Sequence, residues 1–255
     1  MYDALSIIIE VVCAFIYILY LSFRFTSSTT LNDHDLIERA LDHVPKCTPN
    51  DRDRQRVLLT ALQAWAHLAE KHNLRYRIGF GSLIGYVQRR GLLPHDRDVD
   101  VVVMHDDTQL LVNISQTDFS SDYEIRVQPQ WKIIGWTKRS YFRDQGIHFI
   151  APNARFIDRK TGDYVDIFPG YNFDPLDSNG RTGIQPSENI TEYDASYKWF
   201  SYPRNWAFPL QTCYFSEIKM LCPAQPEKFV VAMYGEKALT QSDTKCVDGS
   251  WVKAD

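Results

Sequence analysis

Three aspartates at alternate positions stand where a polar stretch gives way to a run of valines. Asp96, Asp98 and Asp100 lie in the segment HDRDVDVVV, residues 95–103. Because alternate side chains of a β-strand point to the same side, Asp98 and Asp100 should share one face of a strand that begins near Asp98. Two adjacent carboxylates repel each other unless a divalent cation lies between them. The spacing therefore predicts a cation site, with a solvated acidic turn as the plainer alternative.

A fourth carboxylate interrupts a later apolar stretch. Asp166 lies inside the segment YVDIFPG, and a carboxylate that is buried there needs a partner. A cation already held by Asp98 and Asp100 would supply that partner, and a salt bridge to Arg155 across a hairpin is the alternative. Oxygen-only ligand sets favour Mg²⁺ or Mn²⁺. We therefore predict a Mg²⁺ or Mn²⁺ site at these three aspartates.

A glycine-containing turn precedes the aspartates and could bind an anion. The segment LRYRIGF alternates as a strand does, and it leads into GFGSLIG, residues 79–85. Ser82 is the predicted N-cap of a short helix, LIGYVQRR. Backbone amides at a helix N-terminus attract anions, so Gly81 and Ser82 are candidates for binding phosphate.

The remaining elements indicate an α+β fold in which helices pack on a mixed β-sheet. The clearest helix covers residues 51–72, where apolar residues recur at helical spacing. Strands are predicted at YEIRVQ, WKIIGW and GIHFIA, and a hairpin at the KTGD turn. PEKFVVAMYG is typical of a helix with proline near its start and glycine at its end. Residues 171–205 are rich in Asn, Asp, Gly, Pro and Ser and indicate a surface excursion.

The amino-terminal segment LSIIIEVVCAFIYILYLSF has one charge in 19 residues. At 1.5 Å per residue such a helix would span the ~30 Å hydrocarbon core of a bilayer. We expect one transmembrane signal anchor; a buried amphipathic helix and a cleaved signal peptide are the alternatives. The expected organisation is a tail, the anchor, a linker with a short helix, the main domain and a polar tail: residues 1–4, 5–23, 24–50, 51–240 and 241–255.

Charge and glycosylation sequons bear on the partners. The net charge of −4 provides no general attraction to polyanions, so no nucleic-acid partner is expected. Asn113 and Asn189 begin the sequons NIS and NIT, which predict glycosylation of a lumenal domain.

The cysteines outside the expected anchor are even in number, as suits an oxidising compartment: Cys47, Cys213, Cys222 and Cys246. Cys213 and Cys222 would face each other across a hairpin that turns at residues 217–218. Two free core cysteines are the alternative. None of the cysteines has the CxxC spacing of a structural zinc site.

Two motifs together resemble the LicD family, which includes fukutin and the fukutin-related protein. They are GSLIGYVQRRGLLPHDRDVDVVV and DRKTGDYVDIFPG, and the resemblance covers roughly residues 75–235. It implies a nucleotidyltransferase fold of the polymerase-beta type. Gln88 stands where the family usually has Arg, and His95 where it usually has Trp. The three aspartates that the chemistry needs most are present.

The resemblance implies a metal-dependent phosphotransferase. It would move a phospho-alcohol of the phosphocholine or ribitol phosphate type from a CDP-linked donor to a hydroxyl of a glycan or glycoprotein. Three residues would hold the metal and act in catalysis: Asp98, Asp100 and Asp166. Four would bind the donor phosphates: Gly81, Ser82, Arg89 and Arg90. Asp96 would orient the loop behind the metal ligands.

The resemblance and the expected anchor together imply a single-pass membrane protein of the Golgi or endoplasmic reticulum with a lumenal catalytic domain. One alternative is a non-catalytic relative that regulates another glycan phosphotransferase, which the substitutions at Gln88 and His95 motivate. A second alternative is a nucleotidyltransferase that transfers a nucleotide to a soluble acceptor.

Overall fold

A computed structural model describes residues 33–173, 186–193 and 199–254 of the chain. The chain divides into a segment of residues 1–36, of which only 33–36 are described, and a unit of residues 37–255. The helices of the described residues are α1 Asp33–Asp42, α2 Asp51–Lys71, α3 Phe80–Arg89, α4 Thr108–Ser115, α5 Arg204–Ala207 and α6 Pro226–Tyr234.

The described residues form eleven strands. They are β1 Tyr76–Ile78, β2 Val99–Met104, β3 Tyr123–Val127, β4 Ala154–Asp158, β5 Tyr164–Phe173, β6 Pro186–Tyr193, β7 Trp199–Pro203, β8 Gln211–Phe215, β9 Ile218–Cys222, β10 Thr244–Val247 and β11 Ser250–Lys253.

Seven of these strands form one mixed sheet. Its central order is β1-β2-β5-β4-β3, and β6 pairs with β5 and β7. The β2–β5 pair is parallel, whereas the other pairs in this sheet are antiparallel. β2 is buried along almost its whole length, which explains why its sequence is a valine run without alternation. The described part of the chain therefore has the mixed α+β sheet that the sequence predicts.

Helix α2 supplies much of the core on one side of the sheet. Its apolar positions recur every three or four residues, and Leu58, Leu62 and Trp65 are fully buried. The Trp65 ring packs edge-on against Tyr76 of β1 and Phe156 of β4, with centroids 5.6 and 5.9 Å away. The helix thereby contacts strands on both sides of the central β2–β5 pair.

The expected membrane anchor, residues 5–23, lies outside the described residues. Among the residues that the structure does describe, no helix is both long and apolar enough to cross a bilayer. The longest of these helices, α2, has 21 residues, which is long enough to span a bilayer, but charged side chains occupy its first and last turns. The expectation of a fold preceded by a transmembrane helix is therefore corrected, and the single-pass Golgi or endoplasmic reticulum location that depended on it is withdrawn.

Two segments fold differently from the sequence prediction. WKIIGW, residues 131–136, forms turns that lead into the 3₁₀ helix Trp136–Lys138. GIHFIA, residues 146–151, follows the 3₁₀ helix Arg143–Gln145 and makes one isolated β-bridge, from Ile147 to Phe142, instead of a strand. The buried Arg139 side chain causes part of this difference, because it donates to the backbone carbonyls of Trp131 and Ile133 at 2.8–3.0 Å. A sheet neighbour would otherwise have to satisfy those carbonyls.

Residues 171–173, 186–193 and 199–203 belong to the sheet, and residues 204–205 begin α5, so the described parts of residues 171–205 are not a surface excursion. Tyr171, Glu192 and Tyr202 are at most 2 % exposed. The Arg77 guanidinium of β1 donates to Glu192 of β6 and to the Tyr202 hydroxyl of β7. This buried ion pair compensates the charges that burial would otherwise leave unpaired, and it fixes β6 and β7 against β1.

The hairpin of β8 and β9 carries one disulfide, between Cys213 and Cys222. It turns at Ser216 and Glu217, both with positive φ, one residue earlier than the sequence predicted. In this register Cys213 lies opposite Met220, and the disulfide joins diagonal neighbours whose Cα atoms are 5.9 Å apart.

The end of the chain is an anchored hairpin, although the sequence indicated a polar tail. Strands β10 and β11 pair with each other, and Cys246 forms a disulfide with Cys47. The Trp251 indole N–H donates to the buried carboxylate of Asp51 at 2.9 Å. These long-range bonds hold residues 244–253 against the start of α2.

Candidate metal centre

Strand pairing brings the three predicted metal ligands together. Asp98 directly precedes β2, Asp100 is the second residue of β2, and Asp166 is the third residue of β5. The parallel register places Asp100 directly opposite Asp166. One carboxylate oxygen from each of the three aspartates lies within 4.8 Å of the other two. Asp100 and Asp166 are 8 % and 6 % exposed, and Asp98 is the most exposed of the three.

The N-cap and first turn of α3 hold Asp100 on both its backbone and its side chain. Gly79 donates its N–H to the Asp100 carbonyl at 3.0 Å, and the Asp100 N–H donates to the Ser82 hydroxyl at 2.9 Å. The backbone N–H of Gly81 donates to the Asp100 carboxylate. The helix begins at Phe80, so Ser82 lies in its first turn and is not the N-cap that the sequence predicted. Gly81 and Ser82 therefore fix Asp100, and their binding of donor phosphate stays a prediction.

Phe80 starts this turn in a backbone conformation that is uncommon for a non-glycine residue, with φ of +44°. Its ring packs 4.5 Å from that of Phe168 on β5, in a buried cluster with Val102 and Trp136. Such conformations persist where the surrounding packing determines them, and they concentrate at functional sites. The packing of Phe80 thus fixes the turn that holds Asp100.

The electrostatic environment disfavours negative charge on these carboxylates. Burial raises the pKa of Asp100 well above its usual value, and the negative charges of Asp98, Asp166 and Asp96 raise it further. Burial also raises the pKa of Asp166 to about 6, although Arg155 opposes the rise. For Asp98 burial raises the pKa, again against Arg155. A bound divalent cation would offset this repulsion, and the hard carboxylate oxygens suit Mg²⁺ or Mn²⁺. The residues present therefore fit such an ion.

Arg155 forms the salt bridge that was the alternative role for Asp166. It lies opposite Asp166 on the antiparallel strand β4, and its Nε donates to Asp166 Oδ1 at 2.7 Å. The salt bridge and the carboxylate cluster coexist, because the bond uses one oxygen of Asp166 and leaves Oδ2. Sequence reasoning named Arg155 only as a competing partner, whereas the structure places it beside the metal centre.

Asp96 lies close to the clustered aspartates. A Cβ built on Gly81 would be 3.6 Å from Asp100 Oδ2 and 3.9 Å from Asp96 Oδ1. Burial raises the pKa of Asp96 to about 7, with further increases from Asp98 and Asp243. Its buried Oδ2 has no hydrogen-bond donor among the described residues. The role of Asp96 in orienting the loop stays a prediction.

The two arginines predicted to bind phosphate lie away from the carboxylates. Arg89 and Arg90 are at the C-terminal end of α3, about 12 Å along the helix from Gly81. Arg89 donates to the carbonyl of His43 at 2.7 Å, and Arg90 lies over the Tyr86 ring at 4.6 Å. The structure does not bring either guanidinium to the metal centre.

The residues that depart from the family pattern contact the end of the chain. Gln88 donates to the carbonyls of Ala238 and Gln241 at 2.8 and 2.9 Å. The His95 ring lies 5.7 Å from that of Trp251. At these two positions the chain thus uses side chains that support its C-terminal segment. The two predicted glycosylation sites, Asn113 on α4 and Asn189 on β6, are exposed, and their modification stays a prediction.

Comparison with known proteins identifies the class of this fold and site. A family model described as LicD/FKTN/FKRP, nucleotidyltransferase domain, matches residues 73–225, which is more than half of the chain. The chain belongs to this family. The matched residues include the first turn of α3, all three clustered aspartates and Arg155.

Individual relatives match over shorter stretches. The chain is 35% identical over 63 residues to the lipopolysaccharide cholinephosphotransferase LicD of Haemophilus influenzae, covering 25% of this chain and 24% of that protein. An uncharacterised protein of Rickettsia prowazekii is 36% identical over 61 residues, covering 22% of this chain and 23% of the relative. The matches thus span about a quarter of the length of these relatives.

Proposed function

We propose that this protein is a metal-dependent phosphotransferase. It moves a phospho-alcohol, of the phosphocholine or ribitol phosphate type, from a CDP-linked donor to a hydroxyl of a glycan or glycoprotein. The observation that carries the proposal is the set of three carboxylate oxygens within 4.8 Å of one another, on adjacent parallel strands of a nucleotidyltransferase domain. Because the Haemophilus relative is named as a lipopolysaccharide cholinephosphotransferase, phosphocholine and a glycan acceptor are the first substrates to test.

The cluster has the ligands for the cation that this chemistry uses. Asp98 and Asp100 would hold Mg²⁺ or Mn²⁺, and Asp166 would complete the protein ligands with the oxygen that Arg155 leaves available. When bound, such a cation neutralises charge on the transferring phosphoryl group and on the leaving group. The hydrogen bonds from Gly81 and to Ser82 keep Asp100 in place while the substrates bind.

In the transfer, an acceptor oxygen forms a bond to the phosphorus that carries the alcohol, and the bond from that phosphorus to CMP breaks. CMP leaves with the bridging oxygen. The proton of the acceptor hydroxyl passes to a carboxylate of the cluster that the acceptor can reach, for which Asp166 is the candidate.

The decisive experiment measures CMP release from CDP-choline and from CDP-ribitol with a pool of glycan acceptors, with Mn²⁺ or with chelator. We expect release that requires the metal and falls by at least about 100-fold in Asp98→Ala and Asp166→Ala. The matched control is Asp118→Ala, an exposed aspartate on a loop outside the cluster.

Release that persists in both cluster variants would overturn the proposal. A folded protein that binds Mn²⁺ but releases no CMP from either donor would exclude these two cargoes. A protein that binds neither metal nor donor would instead support the non-catalytic regulator. Transfer of the CMP group itself to an acceptor, detected by mass spectrometry of the product, would identify a nucleotidyltransferase.

A further inference from the structure

Charged residues on four adjacent strands form a row that starts at the metal centre. The strand registers place Asp100 opposite Asp166, Asp166 opposite Arg155, and Arg155 opposite Arg126. Residues opposite each other in a sheet point to the same face, and neighbouring strands lie about 4.8 Å apart. The face that carries the two buried aspartates therefore continues directly into two arginines.

Two aromatic rings hold the guanidinium of Arg155. Its Cζ lies 3.9 Å from the centroid of the Tyr164 ring and 4.7 Å from that of Phe149. Stacking of this kind fixes the plane of a guanidinium group and reduces the entropy that it loses when it binds a ligand. With Nε bonded to Asp166, the orientation of the two terminal nitrogens is also set.

The terminal nitrogens of Arg155 have no acceptor among the described residues. The hydrogen bond through Nε is its single polar bond there, and its side chain is 20 % exposed, so solvent or a ligand can reach it. A guanidinium whose only role was to neutralise Asp166 would gain most from a bidentate pair with the carboxylate. The observed single bond instead leaves both terminal NH₂ groups for another anion.

The next arginine in the row differs in this respect. Arg126 forms an ion pair with Glu124 and donates to the carbonyl of Gly146 at 2.7 Å. Arg159, just after β4, also forms an ion pair with Glu124. Both guanidinium groups are thus used within the protein. Of these three arginines, Arg155 is the one whose terminal nitrogens have no acceptor among the described residues.

We propose that Arg155 binds a non-bridging phosphate oxygen of the nucleoside diphosphate part of the donor through its terminal nitrogens. This inference rests on the proposed function. A cation at the three aspartates would be one positive centre, and the guanidinium that bonds Asp166 is a second positive centre beside it. A diphosphate carries negative charge on both of its phosphates and can therefore bind at both centres. Arg155 thereby takes the role for which Arg89 and Arg90 are too distant.

The test measures binding of three probes to the full chain by calorimetry: Mn²⁺ alone, CDP with Mn²⁺, and cytidine with Mn²⁺. The variants are Arg155→Gln and Arg155→Lys, and Arg159→Gln is the control with the same change in charge. We expect Arg155→Gln to weaken CDP binding by about 10- to 100-fold, the usual effect of losing a hydrogen bond between charged groups. Arg155→Lys should give an intermediate loss, and Arg159→Gln none.

The other two probes separate ligand binding from a structural role. Cytidine has no phosphate, so its affinity should not change in Arg155→Gln. Mn²⁺ alone should bind at least as tightly, because the variant removes a positive charge beside Asp166. Joint loss of Mn²⁺ and CDP binding in both Arg155 variants would show that Arg155 only supports the fold, and would overturn the inference.

Two further outcomes distinguish this inference from the proposed function. If the wild type and Arg155→Gln bind CDP equally well, Arg155 does not bind phosphate, whereas the proposed donor class stands. If the wild type binds Mn²⁺ but not CDP, the proposed donor is wrong and the inference fails with it.

Discussion

Asp100 and Asp166 lie directly opposite each other on the parallel strands β2 and β5, and both side chains are more than nine-tenths buried. Opposed carboxylates in such a position repel each other and destabilise the protein unless protons or a cation compensate their charge. This pair therefore couples the stability of the domain to pH and to divalent cations.

Replacing Asp100 by Asn should weaken metal binding and stabilise the metal-free protein. The amide keeps the shape of the side chain but removes the charge that repels Asp98 and Asp166. Mutation of a residue that only hydrogen-bonds to a metal ligand typically lowers metal affinity by ~10–100-fold. Because Asp100 is itself a proposed ligand, we expect Mn²⁺ affinity to fall by more than this. The melting temperature without metal at pH 8 should rise. Calorimetry and thermal unfolding measure the two effects, and a parallel loss of both affinity and stability would contradict this account.

Stability of the metal-free protein should depend on pH between about 4 and 7. Asp166 and Asp96 have pKa values raised to about 6 and about 7, whereas an unfolded aspartate has a pKa near ~3.9. The folded state therefore binds protons more tightly, so the contribution of these groups is complete below pH ~4 and is lost as the pH rises to about 7. Added Mn²⁺ should raise the melting temperature more at pH 8 than at pH 5, since protons compete for the ligands. Equal shifts at both pH values would argue against a carboxylate site.

Two glycines of α3 should respond differently to replacement by alanine. A Cβ on Gly85 would come 2.4 Å from the Gly91 carbonyl oxygen, so Gly85→Ala must displace backbone. We expect a loss of about 1–3 kcal/mol in the free energy of unfolding. At Gly81 the nearest atoms are 3.6–4.0 Å away, so Gly81→Ala should unfold almost as the wild type does. Urea denaturation of the two variants gives the comparison, and equal stabilities would contradict the close approach at Gly85.

Asp51 should make the anchored C-terminal hairpin sensitive to acid. Burial alone would raise the pKa of Asp51, but hydrogen bonds from the backbone of Thr48 and Cys47, and from Trp251, lower it below its usual value. A lowered pKa contributes stability that is present above the unfolded value of ~3.9 and is lost as the pH falls below it. Asp51→Asn should therefore be less stable at pH 7 and lose less stability between pH 5 and pH 3.

The control for this prediction is Asp53→Asn, on the same helix but 86 % exposed. It should follow the wild-type dependence on pH. Thermal unfolding between pH 3 and pH 7 measures all three proteins, and wild-type behaviour of Asp51→Asn would show that the bonds to this carboxylate contribute little.

Hydrophobic spacing and turn residues predicted the elements that form from contacts between neighbours along the chain. The helical spacing of apolar residues located α2 within one residue of its observed end, and the KTGD turn located the β4–β5 hairpin. The strand predictions failed at WKIIGW and GIHFIA, where the side chain of Arg139 donates to the backbone carbonyls of Trp131, Ile133 and Ile150. They also failed to include β6 and β7 in the sheet, because the buried ion pair of Arg77 and Glu192 joins residues 115 positions apart. Such contacts leave no periodic signal.

The sequence by itself predicted that Asp98 and Asp100 lie together at the start of a strand, because alternate side chains of an extended backbone point to the same side. The structure brings the two carboxylates together, with Asp98 just before β2 and Asp100 within it. The tertiary structure decided which residues complete that site. The register of β5 against β2 and β4 placed Asp166 opposite Asp100 and brought in Arg155, while the length of α3 kept Arg89 and Arg90 away. Strand register depends on how distant segments pack together, so neighbours along the chain cannot specify it.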